Sequence, residues 1–108
     1  VSLREEQSLF ARDVVRLLTF ASGKGYEYTL GEAERPLQMQ QIYFDTGRSQ
    51  TMNSMHLKRC AIDVHFFLDG ELCYPKELGD FWEELDPKNE WGGNWRSFKD
   101  APHFQRSV

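Results

Sequence analysis

The sequence predicts an α+β domain, with helices flanking a small, largely antiparallel sheet. Three observations carry this expectation. A run of helical period follows a capping signal near the N-terminus, Ala61–Leu68 places apolar Ile62, Val64, Phe66 and Leu68 at every second position, and Asp69-Gly70 directly after it is the sequence of a tight hairpin turn.

Ser2 followed by Glu5 forms a capping box, and Phe10, Val14, Leu17, Leu18 and Ala21 then recur at helical spacing until Gly23 and Gly25 interrupt them. Tyr26, Tyr28 and Leu30 alternate with polar residues, as a half-buried strand requires, and Gly31 ends the run. Pro36 suits the first turn of a second helix through about Phe44, with Leu37, Gln40 or Gln41, and Phe44 spaced along it. Residues 45–53 are polar, contain Gly47 and show no period, so they read as a loop leading to His56.

In Ala61–Leu68, Ile62, Val64, Phe66 and Leu68 share one face, and Asp63, His65 and Phe67 share the other. Residues 71–74 should pair back through the hairpin. Leu78, Phe81, Trp82 and Leu85 fall at i, i+3, i+4 and i+7, which predicts a third helix closed by Pro87. The remainder, rich in Trp, Gly and Asn, should be mostly loop with a short strand around His103.

The chain has 108 residues, enough for a single domain with one modest core, and no internal repeat divides it. Its 40% hydrophobic and 28% charged content is that of a folding globular chain. A net charge of -4 and a pI near 5.3 argue against a nucleic-acid partner. No apolar run is long enough for a secretory core or a membrane span, so we expect no signal peptide and no membrane insertion. A monomer is expected as well. The sequence begins without Met, which leaves room for a removed leader. Cys60 and Cys73, in no clustered spacing, are expected to be free thiols.

His56, Asp63 and His103 are among the residues most able to bind zinc. A catalytic zinc needs three protein ligands and an open fourth position. Their spacing alone leaves open the alternative that they are ordinary hydrogen-bonded residues, because a histidine and an aspartate seven apart have no fixed geometry off a helix. His65 shares a strand face with Asp63, so a site of His56, Asp63 and His65 is sterically conceivable.

Ser54-Met55-His56-Leu57, Ala61-Ile62-Asp63 and Asp100-Ala101-Pro102-His103-Phe104 are similar to the S-x-H-x6-D and D-x-x-H signatures of one metallopeptidase family. That family contains D-alanyl-D-alanine carboxypeptidases and phage L-alanyl-D-glutamate endopeptidases, and shares its fold with the hedgehog signalling domain. The resemblance spans residues 31–104 in order. It includes Trp91-Gly92-Gly93-Asn94-Trp95, similar to a W-G-G-D-W segment of the endopeptidase branch, with Asn94 where an acid is common.

By position, the resemblance makes His56, Asp63 and His103 the zinc ligands and Asp100 the general base. Arg35 looks like the family's cleft arginine, able to stabilise an oxyanion or grip a substrate carboxylate, with Arg48 as the competing candidate. Ser54 and Ser49 are expected at the substrate. Ser54 could instead hydrogen-bond the residues around the metal, and has the alternative of satisfying a local backbone N–H. Trp91 and Trp95 are expected to line the cleft, with core packing as the alternative.

The activity this implies is zinc-dependent cleavage of the peptidoglycan stem peptide, at the L-alanyl-D-glutamate bond. The rivals are a D-alanyl-D-alanine carboxypeptidase or dipeptidase, a non-catalytic zinc module of the same fold, and a metal-free interaction domain. Such an enzyme would be made in the cytoplasm and reach the wall by phage-type release or delivery.

Overall fold

In the computed structural model, which describes residues 1–33, 36–47 and 54–108, Ser2 starts the first helix as the capping box requires. Its hydroxyl accepts the Glu5 N–H at 3.1 Å, and α1 runs over Leu3–Gly23. Phe10, Leu17 and Ala21 are buried along one stripe of α1, and so are Glu6 and Asp13, which the apolar pattern did not announce. Both acids have partners. Arg106 and Lys88 donate to Glu6 at 2.9 and 3.1 Å, and Asn89 donates to Asp13 at 3.1 Å. A buried acid is tolerated only when it is paired in this way.

β1 (Glu27–Leu30) follows. Its expected apolar face is only partly covered: Tyr28 packs against the core, but Leu30 is exposed. α2 (Leu37–Asp45) forms where a second helix was expected, with Pro36 at the N-cap position just ahead of it rather than in its first turn, yet its single buried residue is Gln40, while Leu37, Ile42 and Phe44 stay exposed.

β2 (Ala61–Leu68) is the central strand. Asp69 and Gly70 both take positive φ, 52° and 81°, and turn the chain into β3 (Glu71–Cys73). That pair of conformations matches the twist of the flanking strands, and Gly at the second position adopts it without a steric penalty. α3 (Lys76–Leu85) buries Leu78, Gly79 and Trp82. β4 (Asn89–Trp91) lies where a loop was expected, and β5 (His103–Arg106) forms around His103. Three residues with an exposed centre give too short an alternation to read; β4 exists because β5 is there to pair with it.

The five strands form one sheet in the order β1-β2-β5-β4, with β3 also pairing to β2, and every pairing is antiparallel. The sheet divides the molecule. Ile62, Val64, Phe66 and Phe104 face α1 and α3, forming with Phe10, Leu17, Leu78, Trp82 and Trp91 one hydrophobic core. Asp63 and His103, offset by one residue from Ile62 and Phe104 in paired strands, point to the opposite face. Cys60 and Cys73 are free, and burial pushes the Cys60 thiol up, which makes it inert. Among the described residues, no helix is long and apolar enough to cross a membrane.

Candidate metal centre and active site

His56 stands on a short 3-10 turn, Met55–Lys58, just ahead of β2. Ser54 begins that turn: its buried hydroxyl accepts the His56 N–H at 3.2 Å. Arg59, at φ 55°, ends it and delivers the chain into β2. The Ser54 hydroxyl thus holds the histidine's turn through a local backbone bond.

Asp63 is fixed from both sides. The chain leaving β1 lies against it, with the Asp63 N–H donating to the Glu32 carbonyl at 2.9 Å and its carbonyl accepting from Gly31 at 2.7 Å. Any side chain at Gly31 would press on the Asp63 Cβ, 3.1 Å from where its own Cβ would lie. On the other side, His103 is the direct cross-strand partner of Asp63. Neighbours in that relation carry side chains on the same face within contact distance.

These elements bring His56, Asp63 and His103 together, with one ligand atom of each within 4.8 Å of the others. The Asp63 Oδ1 lies 3.3 Å from the His56 Nε2 and 3.5 Å from the His103 Nδ1. The three remote sequence positions therefore converge, and His65 stays outside the cluster, its ring 6.4 Å from that of Tyr74.

The hydrogen bonds around the two rings decide what they present to Asp63. The His56 Nδ1 lies 3.1 Å from the Ala33 carbonyl, which can only accept, so this nitrogen carries the proton and Nε2 offers a lone pair. The His103 Nε2 lies 2.7 Å from the Gln105 Oε1, so it donates there and Nδ1 offers the lone pair. Two imidazole lone pairs and a carboxylate oxygen thus face one another, and the His56 Nε2 and Asp63 Oδ1 are buried without a hydrogen-bond partner.

Such an arrangement of electron-pair donors calls for a cation. Ligands about 2.0–2.1 Å from a tetrahedral zinc lie about 3.3–3.4 Å apart, close to the spacings seen here. The donor set of two imidazoles and one carboxylate fits zinc with a position to spare. Burial alone would raise the Asp63 carboxyl; hydrogen bonds and charge from His103 and His56, which reach it when those rings are protonated, more than reverse this, and a cation held by the neutral rings would act in the same direction. It stays ionised, as a ligand must.

Asp100 stands beside the cluster, its Oδ2 3.8 Å from the His103 Nδ1, with the side chain half exposed. Its backbone is held at every point. The Asp100 N–H donates to Gly92 and its carbonyl accepts from His103, both at 3.0 Å, and the Pro102 carbonyl accepts from Val64 at 2.9 Å. The Trp91 Nε1 donates to the Ala101 carbonyl at 2.8 Å.

That bond redefines Trp91. Its ring is buried, stacked near Phe104, with Gly79 against one part and Gly93 against another, where any Cβ would overlap the indole. Contact with substrate gives way to a positioning role, because a ring enclosed in the core has no face left for a ligand. Trp95 does reach the site, half-buried with its ring 5.1 Å from that of His103. Arg35, Arg48 and Ser49 lie outside the described residues. Sequence reading missed the Ala33 carbonyl and Gln105. The latter was within reach, since i and i+2 on a strand share a face.

An α+β fold that carries a His, Asp, His group able to hold a metal, with a neighbouring acid, on the sheet face opposite the hydrophobic core defines the class. The chain belongs to the D-alanyl-D-alanine carboxypeptidase family of metallopeptidases, which matches residues 47–106. It is 30% identical over 95 residues to the L-alanyl-D-glutamate peptidase of Listeria phage A118, a match covering 83% of this chain and 34% of that protein. The chain thus spans about a third of that relative's length. The crystal structure of the Serratia marcescens L-Ala D-Glu endopeptidase ChiX matches with a TM-score of 0.64 and 27% identity, over 96% of this chain and 85% of that one.

Proposed function

We propose that this chain is a zinc-dependent peptidase of the peptidoglycan stem peptide that cuts the L-alanyl-D-glutamate bond. The observation that carries the proposal is the convergence of the His56, Asp63 and His103 donor atoms, two of them buried and unsatisfied, beside the Asp100 carboxylate. The choice of bond is supported by the names of the phage and Serratia relatives.

His56, Asp63 and His103 hold the metal. When bound, zinc supplies a Lewis acid that brings the pKa of water to about 7. Asp100 takes the proton from the attacking water and passes it to the leaving amine, so one carboxylate serves as base and then as acid. Its firmly held backbone keeps the carboxyl in place. Arg35 is the proposed cation for the developing oxyanion or a substrate carboxylate, and Arg48 its competitor. A kinetic loss on Arg48→Ala but not on Arg35→Ala would exchange their roles. Ser49 and Trp95 are the proposed substrate contacts.

A purely structural zinc has four protein ligands and no use for a poised acid, which disfavours a non-catalytic module. The description of the matched family keeps a D-alanyl-D-alanine carboxypeptidase as the second reading. Delivery to the wall in a phage-type release would suit the likeness to a phage peptidase.

Digestion of purified peptidoglycan by the zinc-loaded protein, followed by mass analysis, tests the choice. The expected products carry a new free amine on D-glutamate. Release of terminal D-alanine alone would establish the carboxypeptidase reading, and no cleavage by protein that binds zinc would establish the module.

A further inference from the structure

The two histidines of the cluster are held in unequal ways. The ring of His56 is set by a backbone carbonyl, which cannot exchange donor for acceptor. The ring of His103 is set by the Gln105 amide, which presents an acceptor or a donor according to how it is turned. If the amide presented its NH2, the His103 Nε2 would have to accept, the proton would move to Nδ1, and the nitrogen facing Asp63 would lose its lone pair.

Something must fix the amide, and the strand pairing supplies it. Glu90 on β4 is the direct cross-strand partner of Gln105 on β5. The Ser107 hydroxyl donates to the Glu90 Oε2, and the Gln105 Nε2 donates to the Ser107 Oγ at 2.8 Å. A carboxylate only accepts, so Ser107 must spend its one proton on Glu90 and can only accept from Gln105. Gln105 must then turn its oxygen to His103, which donates from Nε2. Turning the amide over would leave the carboxylate without its hydroxyl donor, and charge-assisted hydrogen bonds are about twice as strong as neutral ones.

We propose that Glu90, acting through Ser107 and Gln105, sets the His103 tautomer that exposes Nδ1 to the metal. All three are positioning residues, and the proposal rests on the metal-centre reading above. The same carboxylate accepts the Trp95 Nε1 at 3.3 Å, so it also braces the ring that stands against His103.

The test compares the unmodified chain with Gln105→Leu, Gln105→Glu, Ser107→Ala and Glu90→Gln. Zinc affinity is read by competition with a chromophoric chelator, and the His103 tautomer by imidazole 15N NMR of the metal-free protein. Loss of a group that orients a ligand typically costs about 10- to 100-fold in metal affinity. We expect losses of that order for Gln105→Leu and smaller ones, in the same direction, for Ser107→Ala and Glu90→Gln. Each should move the metal-free His103 away from the Nε2–H form. Gln105→Glu keeps an acceptor and should recover the affinity.

Unchanged affinity and tautomer in the variants would overturn the proposal while leaving the metal centre intact. Failure of the unmodified chain to bind zinc would instead overturn the metal centre, and the proposal with it. Should Gln105→Leu not fold, the exposed Glu90→Gln decides the matter by the same two readouts.

Discussion

Gly92 and Asp100 lie against each other so closely that a Cβ on Gly92 would overlap the Asp100 carbonyl oxygen, while the Asp100 N–H donates to the Gly92 carbonyl at 3.0 Å. The pair carries the proposed base on a segment that has no slack. Gly92→Ala should therefore displace Asp100 and lower turnover at least 10-fold, with about 1–3 kcal/mol of stability lost to the collision. Peptide hydrolysis and thermal unfolding would check both; normal turnover would show that the contact can relax without moving the acid.

Asp100→Asn keeps the shape of the side chain and removes its basicity. Turnover should fall by about 10² to 10⁴, while zinc content stays near that of the unmodified protein. Near-normal hydrolysis would remove Asp100 from the role of base.

Zinc should bind with a stoichiometry of one and raise the unfolding midpoint. At a free concentration 100 times the Kd, the linkage is worth about 2.7 kcal/mol. Alanine at His56, Asp63 or His103 should abolish that shift, whereas His65→Ala should leave it, since His65 is outside the cluster. Calorimetric titration of the chelator-treated protein is the measurement.

Acid should destabilise the fold through the charged group that ties α1 to β5. Hydrogen bonds from Arg106 and then Lys88 hold the Glu6 carboxyl below its ordinary value. The Lys88 backbone N–H and then Arg106 do the same for Asp86. Groups lowered on folding contribute stability above their unfolded pKa, about 4, and lose it as pH falls through the folded value. The thermal midpoint of the chelator-treated protein should therefore drop below about pH 4, and Glu6→Gln should flatten that drop while lowering the midpoint at neutral pH. An acid limb as steep in the variant as in the parent would place the effect elsewhere.

Where apolar residues recur at a local period, the sequence alone was enough. Ser2 and Glu5 announce the start of α1, Asp69-Gly70 the hairpin, and Leu78, Phe81, Trp82 and Leu85 the core-packed stripe of α3, with Leu78 and Trp82 fully buried. α2 shows the limit of such reading, since its spacing says helix yet its apolar residues stay exposed. A periodic pattern reports which residues share a face and says nothing of whether another element covers it.

The His56, Asp63, His103 group was readable only through ordered likeness to a family, because the distance along the chain from His56 to His103 fixes no distance in space. Tertiary structure decided what that likeness could not supply. Antiparallel register puts Asp63 opposite His103, the strand pairing of β4 with β5 brings Glu90 to Gln105, and core packing encloses Trp91 while leaving Trp95 beside His103. Local period is a property of a few neighbouring dihedrals and so is written in the sequence. The meeting of remote side chains depends on the register and burial of the whole sheet, which no short stretch of chain contains.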